Sequence, residues 1–549
     1  MKMKMKKTIY ILLLSVIFTS CKKWLDINEN PSSANSTVPT PEQRLPPIIA
    51  QFADGYESAG TRVAFLAQQL AVTYAANNNN WNLTRWYSDV SSANWPWQSW
   101  YVNTAVNIQP LIDASEKVGA YHYIGAAKIM KAWGFGYLAD FYGMLPYDEF
   151  DIAGNLTPKF DDGAYVQEKV LALLDEAIAD LQKTQEITAP NLSEGDILNG
   201  GKVENWIRLA YGLKARFLNH LTKKSAYNAQ AVLDALASAP QSDDQSSIIQ
   251  YVDEEGVAAN NKAALQYVNI GLTGRITKLY YDYLSNQYAG APSGNNNVVD
   301  PRIDLLIPRM QNKEGLLVPT QVVDMASDLP NAGPAGYSYA ASSNSFSNKD
   351  SVYVQLRMDP ARPEPGQRIL STGSWYTKRG GKGLLLTNAE MRFIEAEVRL
   401  GLGQSGEALT AYKAGIRSHM SIMGINADLI EQFLNSSSVV QNPGDLTLSH
   451  VMIQKYIALS YSPEVWSDLR RMNYCTDASG SYNETTGIYK GFRRPSHVFA
   501  QAYPNQTDWP RRFAVPSYEI NFNIEQVLLA NPNASSPTYL NEPVWWDKP

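Results

Sequence analysis

The sequence predicts a mainly α-helical fold interrupted by an irregular, loop-rich lobe that carries short strands. Three observations carry that prediction. Apolar residues recur at helical spacing from Gln51 to about Ala239. The stretch from about Gln241 to Gly383 loses this period and is rich in Gly, Pro, Asn, Ser and Tyr. Helical order then returns at Thr387.

The elements follow in order. Residues 1–20 join a lysine-rich start to the apolar run Ile9–Phe18, which is too short to span about 30 Å of hydrocarbon and reads as a signal peptide. Phe18-Thr19-Ser20-Cys21 resembles a bacterial lipobox, so Cys21 is expected to be lipidated and to anchor the chain to a membrane. A Ser/Asn/Thr/Pro-rich tether is expected over 21–47, followed by one domain over 48–549: a helical part (48–240), the irregular lobe (241–385), and a helical pair with a C-terminal part (386–549).

Within the first helical part, Ala126, Met130, Trp133 and Tyr137 mark one buried face. Gly134 and Gly136 in the same helix are expected to admit a neighbouring backbone. Val166, Val170, Leu173, Ala177 and Leu181 form a second stripe, entered after Asp161-Asp162. Trp206, Leu209, Leu213, Phe217 and Leu221 form a third, with Arg208, Lys214 and Arg216 assigned to its solvent face. The irregular lobe offers one helical turn, around Thr277–Leu284. Beyond it, Thr387-Asn388-Ala389-Glu390 reads as a capping box opening a helix with Met391, Ile394 and Val398 on one face. The run Gly401–Gly406 matches GxGxxG, but a helix precedes it where a dinucleotide site needs a strand. It reads instead as a helix–turn–helix corner, with Ala396, Ala408 and Tyr412 at the packing positions of a tetratricopeptide-like pair.

Composition bounds the chemistry. The formal charge is −6, and loss of the first twenty residues removes four lysines and no acid, leaving −10; no basic stripe exists for nucleic acid. The five histidines (His122, His220, His419, His450, His497) are scattered without metal-site spacing, and no cofactor is expected. There is no GxSxG elbow, and Asp253-Glu254-Glu255 reads as a solvated acidic loop rather than a catalytic pair. No feature argues for an enzyme. Cys475 is left as a lone thiol.

Aromatics are the unusual entry point: 11% of residues, with seven Trp and Tyr between Trp81 and Tyr101 next to the loop Asn77–Asn80. Aromatic faces beside polar loops stack on sugars, while large aromatics also fill cores. Trp97, Trp100 and Tyr101 lead into a helix and are assigned to the core. Trp81 and Trp86, flanking Asn82 and Arg85, are candidate ligand residues, as are Tyr288 and Trp375 in the glycine- and serine-rich surroundings of the irregular lobe.

Taken in order, several motifs resemble the SusD/RagB family of Bacteroidetes outer-membrane lipoproteins, in its SusD-like, starch-binding-associated branch. They are Ser20-Cys21 with Trp24-Leu25-Asp26; Tyr142-Gly143-Met144-Leu145-Pro146-Tyr147; Asp300-Pro301-Arg302; Gln454-Lys455-Tyr456; Glu464, Trp466, Asp468, Arg470 and Arg471; Pro510-Arg511-Arg512-Phe513; and Val544-Trp545-Trp546. The resemblance implies tetratricopeptide-like helix pairs in a superhelical scaffold and a surface-exposed, lipid-anchored protein of the outer membrane. It implies an oligosaccharide ligand and a SusC-like TonB-dependent transporter as partner. One branch of the family binds peptides, which leaves a peptide ligand as the alternative, with a surface glycoside hydrolase behind it. Glu464, Asp468, Arg470 and Arg471 are expected to form an ion-pair network.

Overall fold

The computed structural model describes residues 39–72, 79–252, 274–307, 310–312, 322–327, 367–369, 375–377 and 380–549. The signal peptide, Cys21, most of the tether, Asn77, Asn78 and Asp253–Glu255 lie outside the described residues.

Helix α1 (Pro41–Leu66) begins inside the expected tether. Pro41 suits the first helical position, where no N–H is needed, and the helix continues across Pro46 and Pro47 because Leu45, Ile48, Ile49 and Phe52 are fully buried beside them. After the short α2 (Asn79–Thr84), which takes Asn79 and Asn80 out of the expected loop, α3 (Tyr121–Tyr142) forms the central helix. It is buried on nearly every side, not on one face. Gly134 and Gly136 receive rings instead of a backbone: a Cβ on Gly134 would lie 2.0 Å from Trp100, and one on Gly136 would lie 2.2 Å from Phe217.

Helix α4 (Gly163–Leu181) packs on α3 and is capped by Asp162, whose carboxylate accepts the Ala164 N–H at 2.8 Å. Its buried stripe runs through Leu174; Leu173 is only half-buried, because the 3.6-residue period from Val170 to Ala177 favours the residue one step on. Helix α5 (Val203–Asn219) buries the predicted Trp206, Leu209, Leu213 and Phe217. In the irregular lobe, the predicted turn is α6 (Lys278–Leu284), capped by Thr277. Helices α7 (Asn388–Gly401) and α8 (Ser405–Ile422) make the expected corner and pack along their length. Helices α9 (Leu448–Ala458) and α10 (Glu464–Arg471) follow, and the described part of the chain ends in short turns that bury Trp546. The fold is therefore mainly α-helical and built from packed helix pairs.

Among the described residues the strands form three antiparallel two-stranded pieces: β1 (Leu70–Ala71) with β3 (Arg275–Ile276), β2 (Ser247–Gln250) with β6 (Lys382–Leu386), and β4 (Met310–Asn312) with β5 (Gln367–Ile369). Among the described residues the main apolar core runs from Leu45 to Leu540, with a small satellite of Leu221, Val544 and Trp546 beside it.

A buried ionic cluster crosses that core. Arg216, expected at the surface, is 2% exposed and grips Glu390 with two bonds of 2.7 Å. The predicted capping box is therefore half made: the Thr387 hydroxyl accepts the Glu390 N–H at 3.2 Å, while the Glu390 carboxylate serves Arg216. Arg471 binds Glu397 at 2.7 and 3.0 Å and also pairs with Asp468, which Lys455 reaches at 2.9 Å. Arg470 departs from the expected pairing. It donates to the carbonyls of Asp140 (2.6 Å) and Arg511 (2.9 Å), with its guanidinium against the rings of Trp466 and Trp546.

His220 bridges two carboxylates, with Nε2 3.0 Å from Glu464 and Nδ1 3.3 Å from Asp140. Burial alone would lower its pKa, but these two carboxylates override it and raise it to about 9. A raised folded-state value stabilises the fold fully below the unfolded value of 6.5 and loses that contribution as pH climbs through about 9. Urea unfolding should therefore show stability falling across this window. His220→Gln should flatten that dependence, and an unchanged slope in the variant would assign it to other groups.

Candidate functional site

An open polar cleft of about 210 Å³ lies where the C-terminal end of α1, helix α6, the segment 322–327 and the loop 474–493 meet. One wall starts at Gln68, which turns the chain sharply in the left-handed region (φ 57) immediately beyond α1. Its carbonyl accepts from the Thr277 hydroxyl and its side-chain amide donates to the Arg493 carbonyl, so one strained residue ties both walls together. The β1–β3 pairing sets Thr277 in place, and Thr277 in turn caps α6 by accepting the Tyr280 N–H at 3.3 Å. The segment 322–327 runs beside it: Lys278 N–H donates to the Val323 carbonyl at 2.8 Å, and Val323 N–H to that of Ile276 at 2.9 Å.

The opposite wall is the loop leaving α10. Lys490 draws this loop closed by donating to the carbonyls of Glu484 (2.6 Å) and Thr485 (2.8 Å). Arg493 lies over the exposed ring of Tyr482, 5.2 Å from its centroid, and donates from Nε to the phenolic oxygen at 3.2 Å. Within α6, Lys278 pairs with Asp282 one turn on; burial nevertheless holds the Asp282 carboxyl above its ordinary value.

The sequence-predicted residues divide. Tyr288 lines the cleft; it is 8% exposed, packs edge-on against Tyr283, and burial pushes its phenol above the usual range. Trp81 is a correction: its ring is 5% exposed and packed in the apolar core, so it offers no open face to a ligand, while Arg85 above it is half-buried. The Arg85 guanidinium is 5.7 Å from the Trp81 centroid and 5.9 Å from that of Phe499, and its Nε donates to the His497 carbonyl at 3.0 Å. The loop carrying His497 and Phe499 is the continuation of the Arg493 wall, and Ser496 N–H donates to the Met325 carbonyl at 2.8 Å. Asn82, half-buried beside Trp81 and Arg85, donates to Asp89 at 3.0 Å. Trp375 is half-buried and heads a chain of rings through Tyr376 and Tyr461 to Tyr280 of α6.

Trp86 is a second correction. Its ring is fully buried among Phe492, Tyr503, Trp509 and Tyr474, with centroids 5.3 to 6.5 Å away. Neither face is open to a ligand, so Trp86 is core. Trp97 and Trp100 are buried as expected. Sequence reasoning missed Tyr482, Glu484 and Arg493. Tyr482 follows Ser479-Gly480-Ser481, the same pairing of an aromatic with a polar loop that singled out Trp81.

Among the described residues, Asp140, His220 and Glu464 are close enough together to hold a metal ion. Each imidazole nitrogen already faces a carboxylate, and Arg216 approaches Glu464 at 3.6 Å, so this group is a charge bridge of the core. Cys475 is a buried free thiol.

Fold and cleft together define a helix-pair scaffold that presents a polar surface cleft. Residues 33–490 match the SusD-like family described as "Starch-binding associating with outer membrane", and the chain belongs to that family. The fold is shared with a SusD/RagB family protein from Bacteroides thetaiotaomicron (20% identity, TM-score 0.61, covering 93% of this chain and 99% of that one). It is also shared with a chitin-binding SusD homologue from Flavobacterium johnsoniae (17% identity, TM-score 0.62, 91% and 98%). A Bacteroidetes SusD-like protein aligns with TM-score 0.66 at 16% identity, over 93% of this chain and 100% of that one. No curated protein matches the chain.

Trp86→Ala should lower unfolding stability by about 3–5 kcal/mol, the range for emptying a core aromatic site. A loss below about 1 kcal/mol by urea denaturation would return Trp86 to the surface.

Proposed function

We propose that the protein is a non-catalytic, cell-surface nutrient-binding lipoprotein. It is anchored to the outer membrane through lipid on Cys21 and captures an oligosaccharide in the cleft beside α6. One observation carries this reading: in a chain of a family described as starch-binding, an open polar cleft is lined by Tyr288 and bordered by the exposed Tyr482–Arg493 pair. Tyrosine rings offer apolar faces to sugar rings, and the surrounding amide, guanidinium and carboxylate groups match hydroxyls in both hydrogen-bonding senses. The chitin-binding homologue of the same fold supports a glycan over a peptide. The bound oligosaccharide passes to a SusC-like TonB-dependent transporter. Hand-over favours modest affinity, because a ligand held too tightly does not leave for its transporter.

Among the described residues no helix is long and apolar enough to cross a membrane. Calorimetric titration with an oligosaccharide panel should find at least one binder and no release of new reducing ends. Tyr288→Phe, which removes one hydroxyl, should weaken that binding about five- to tenfold. Binding of peptides with silence from every glycan would replace the glycan reading by the peptide one.

A further inference from the structure

Six charged side chains border the cleft: Lys278, Asp282, Asp324, Glu484, Lys490 and Arg493. Most are already engaged. Lys278 and Asp282 neutralise each other within α6. The Lys490 ammonium is held by two backbone carbonyls, and the Asp324 carboxylate accepts the Ala326 N–H at 2.9 Å.

Three groups keep unmatched hydrogen-bonding capacity among the described residues. The Glu484 carboxylate is a pure acceptor with no donor on it. The two terminal nitrogens of Arg493 are pure donors, on a guanidinium whose Nε is already fixed by Tyr482. The Tyr288 hydroxyl, on a side chain more than nine-tenths buried, has no protein partner at the edge of the cleft. Glu484 and Arg493 carry opposite charge on one cleft, and no ion pair joins them.

We infer that this arrangement selects an uncharged glycan, with Glu484, Arg493 and Tyr288 as the residues that read its hydroxyls; the inference rests on the glycan reading above. A sugar hydroxyl both donates and accepts, so neighbouring hydroxyls satisfy Glu484 and Arg493 together, and the phenol of Tyr288 adopts whichever sense remains. Charged sugars fit worse. A uronic acid that meets Arg493 also brings its carboxylate toward Glu484 and Asp324, and an amino sugar that meets Glu484 brings its ammonium toward Lys490 and Arg493. Each leaves a like charge facing a partly desolvated group, where repulsion is strongest. Neutral recognition also makes binding nearly independent of ionic strength, because no net charge is neutralised on association.

The test uses the full mature protein and size-matched probes: malto-, cello- and N-acetylated chitooligosaccharides as neutral ligands, oligogalacturonate as the acidic one, and chitosan oligosaccharides as the basic one. Calorimetry is run at about 50 and about 300 mM NaCl. A neutral series should bind best, with affinity changing less than about twofold between the two salts. Glu484→Gln and Arg493→Gln should each weaken it about fivefold or more with unfolding midpoints unchanged, since both side chains stand at the surface of the cleft. Tighter binding of the acidic or basic probe than of every neutral one, or neutral binding untouched in both variants, overturns this inference and leaves the glycan reading standing. Silence from all probes removes the glycan reading, and this inference with it.

Discussion

The rest of the structure depends on the buried pairing of Arg216 with Glu390 and, one layer on, of Arg471 with Glu397. Both are two-bond guanidinium–carboxylate contacts inside an apolar core. Each joins helices far apart in sequence: α5 to α7, and α10 to α7. Glu464 and Lys455 extend the linkage, so α5, α7, α9 and α10 meet at one set of charges. Such pairs contribute little net stability against a well-packed apolar alternative, yet losing one partner costs about 3–5 kcal/mol, because its mate is left charged and buried. The cluster therefore acts mainly on specificity. A helix that slides or rotates strands a charge, and only one arrangement of the scaffold satisfies them all.

That rigidity reaches the cleft along short paths. The loop forming one wall departs directly from α10, whose Arg470 and Arg471 are fixed in the cluster. Tyr474, at the loop's start, receives the Trp466 indole N–H at 3.1 Å on its phenol. The other wall begins at the end of α1, where the Tyr456 hydroxyl of α9 donates to the Ala67 carbonyl at 2.8 Å and Tyr461 N–H donates to the Gln69 side chain at 2.9 Å. Both walls are thus tied to helices that carry cluster residues. The cleft's walls are held apart by packed helices, and in the proposed reading this leaves Glu484 and Arg493 open to the oligosaccharide.

Helices with a clean period were legible in the sequence: the stripe from Trp206 to Phe217, the corner at Gly401–Ser405, and even the single turn after Thr277. What failed were judgements needing distant partners. Arg216 looked solvent-facing because its carboxylate partner lies 174 residues on. Trp86 looked like a ligand residue because its neighbours in sequence are polar, while the residues that enclose it, such as Tyr503, follow 417 positions later. Prolines at 46 and 47 suggested a tether, but local propensity yielded to burial of the surrounding apolar face. Of the residues singled out by their glycine- and serine-rich setting, Tyr288 lies on the cleft. Glu484 and Arg493 were not singled out, since charges in a loop look solvated until the fold sets them opposite Tyr288.

The central claim is that the cleft between α6, segment 322–327 and the 474–493 loop is where the oligosaccharide sits. Hydrogen–deuterium exchange of the mature protein, with and without a bound neutral oligosaccharide, tests it most directly. The account predicts new protection confined to residues 278–289, 322–327 and 482–493, with the already buried helices α3, α5 and α7 unchanged. Protection centred elsewhere, for example on the groove lined by Pro39, Gln43, Val102 and Asn107, would contradict it.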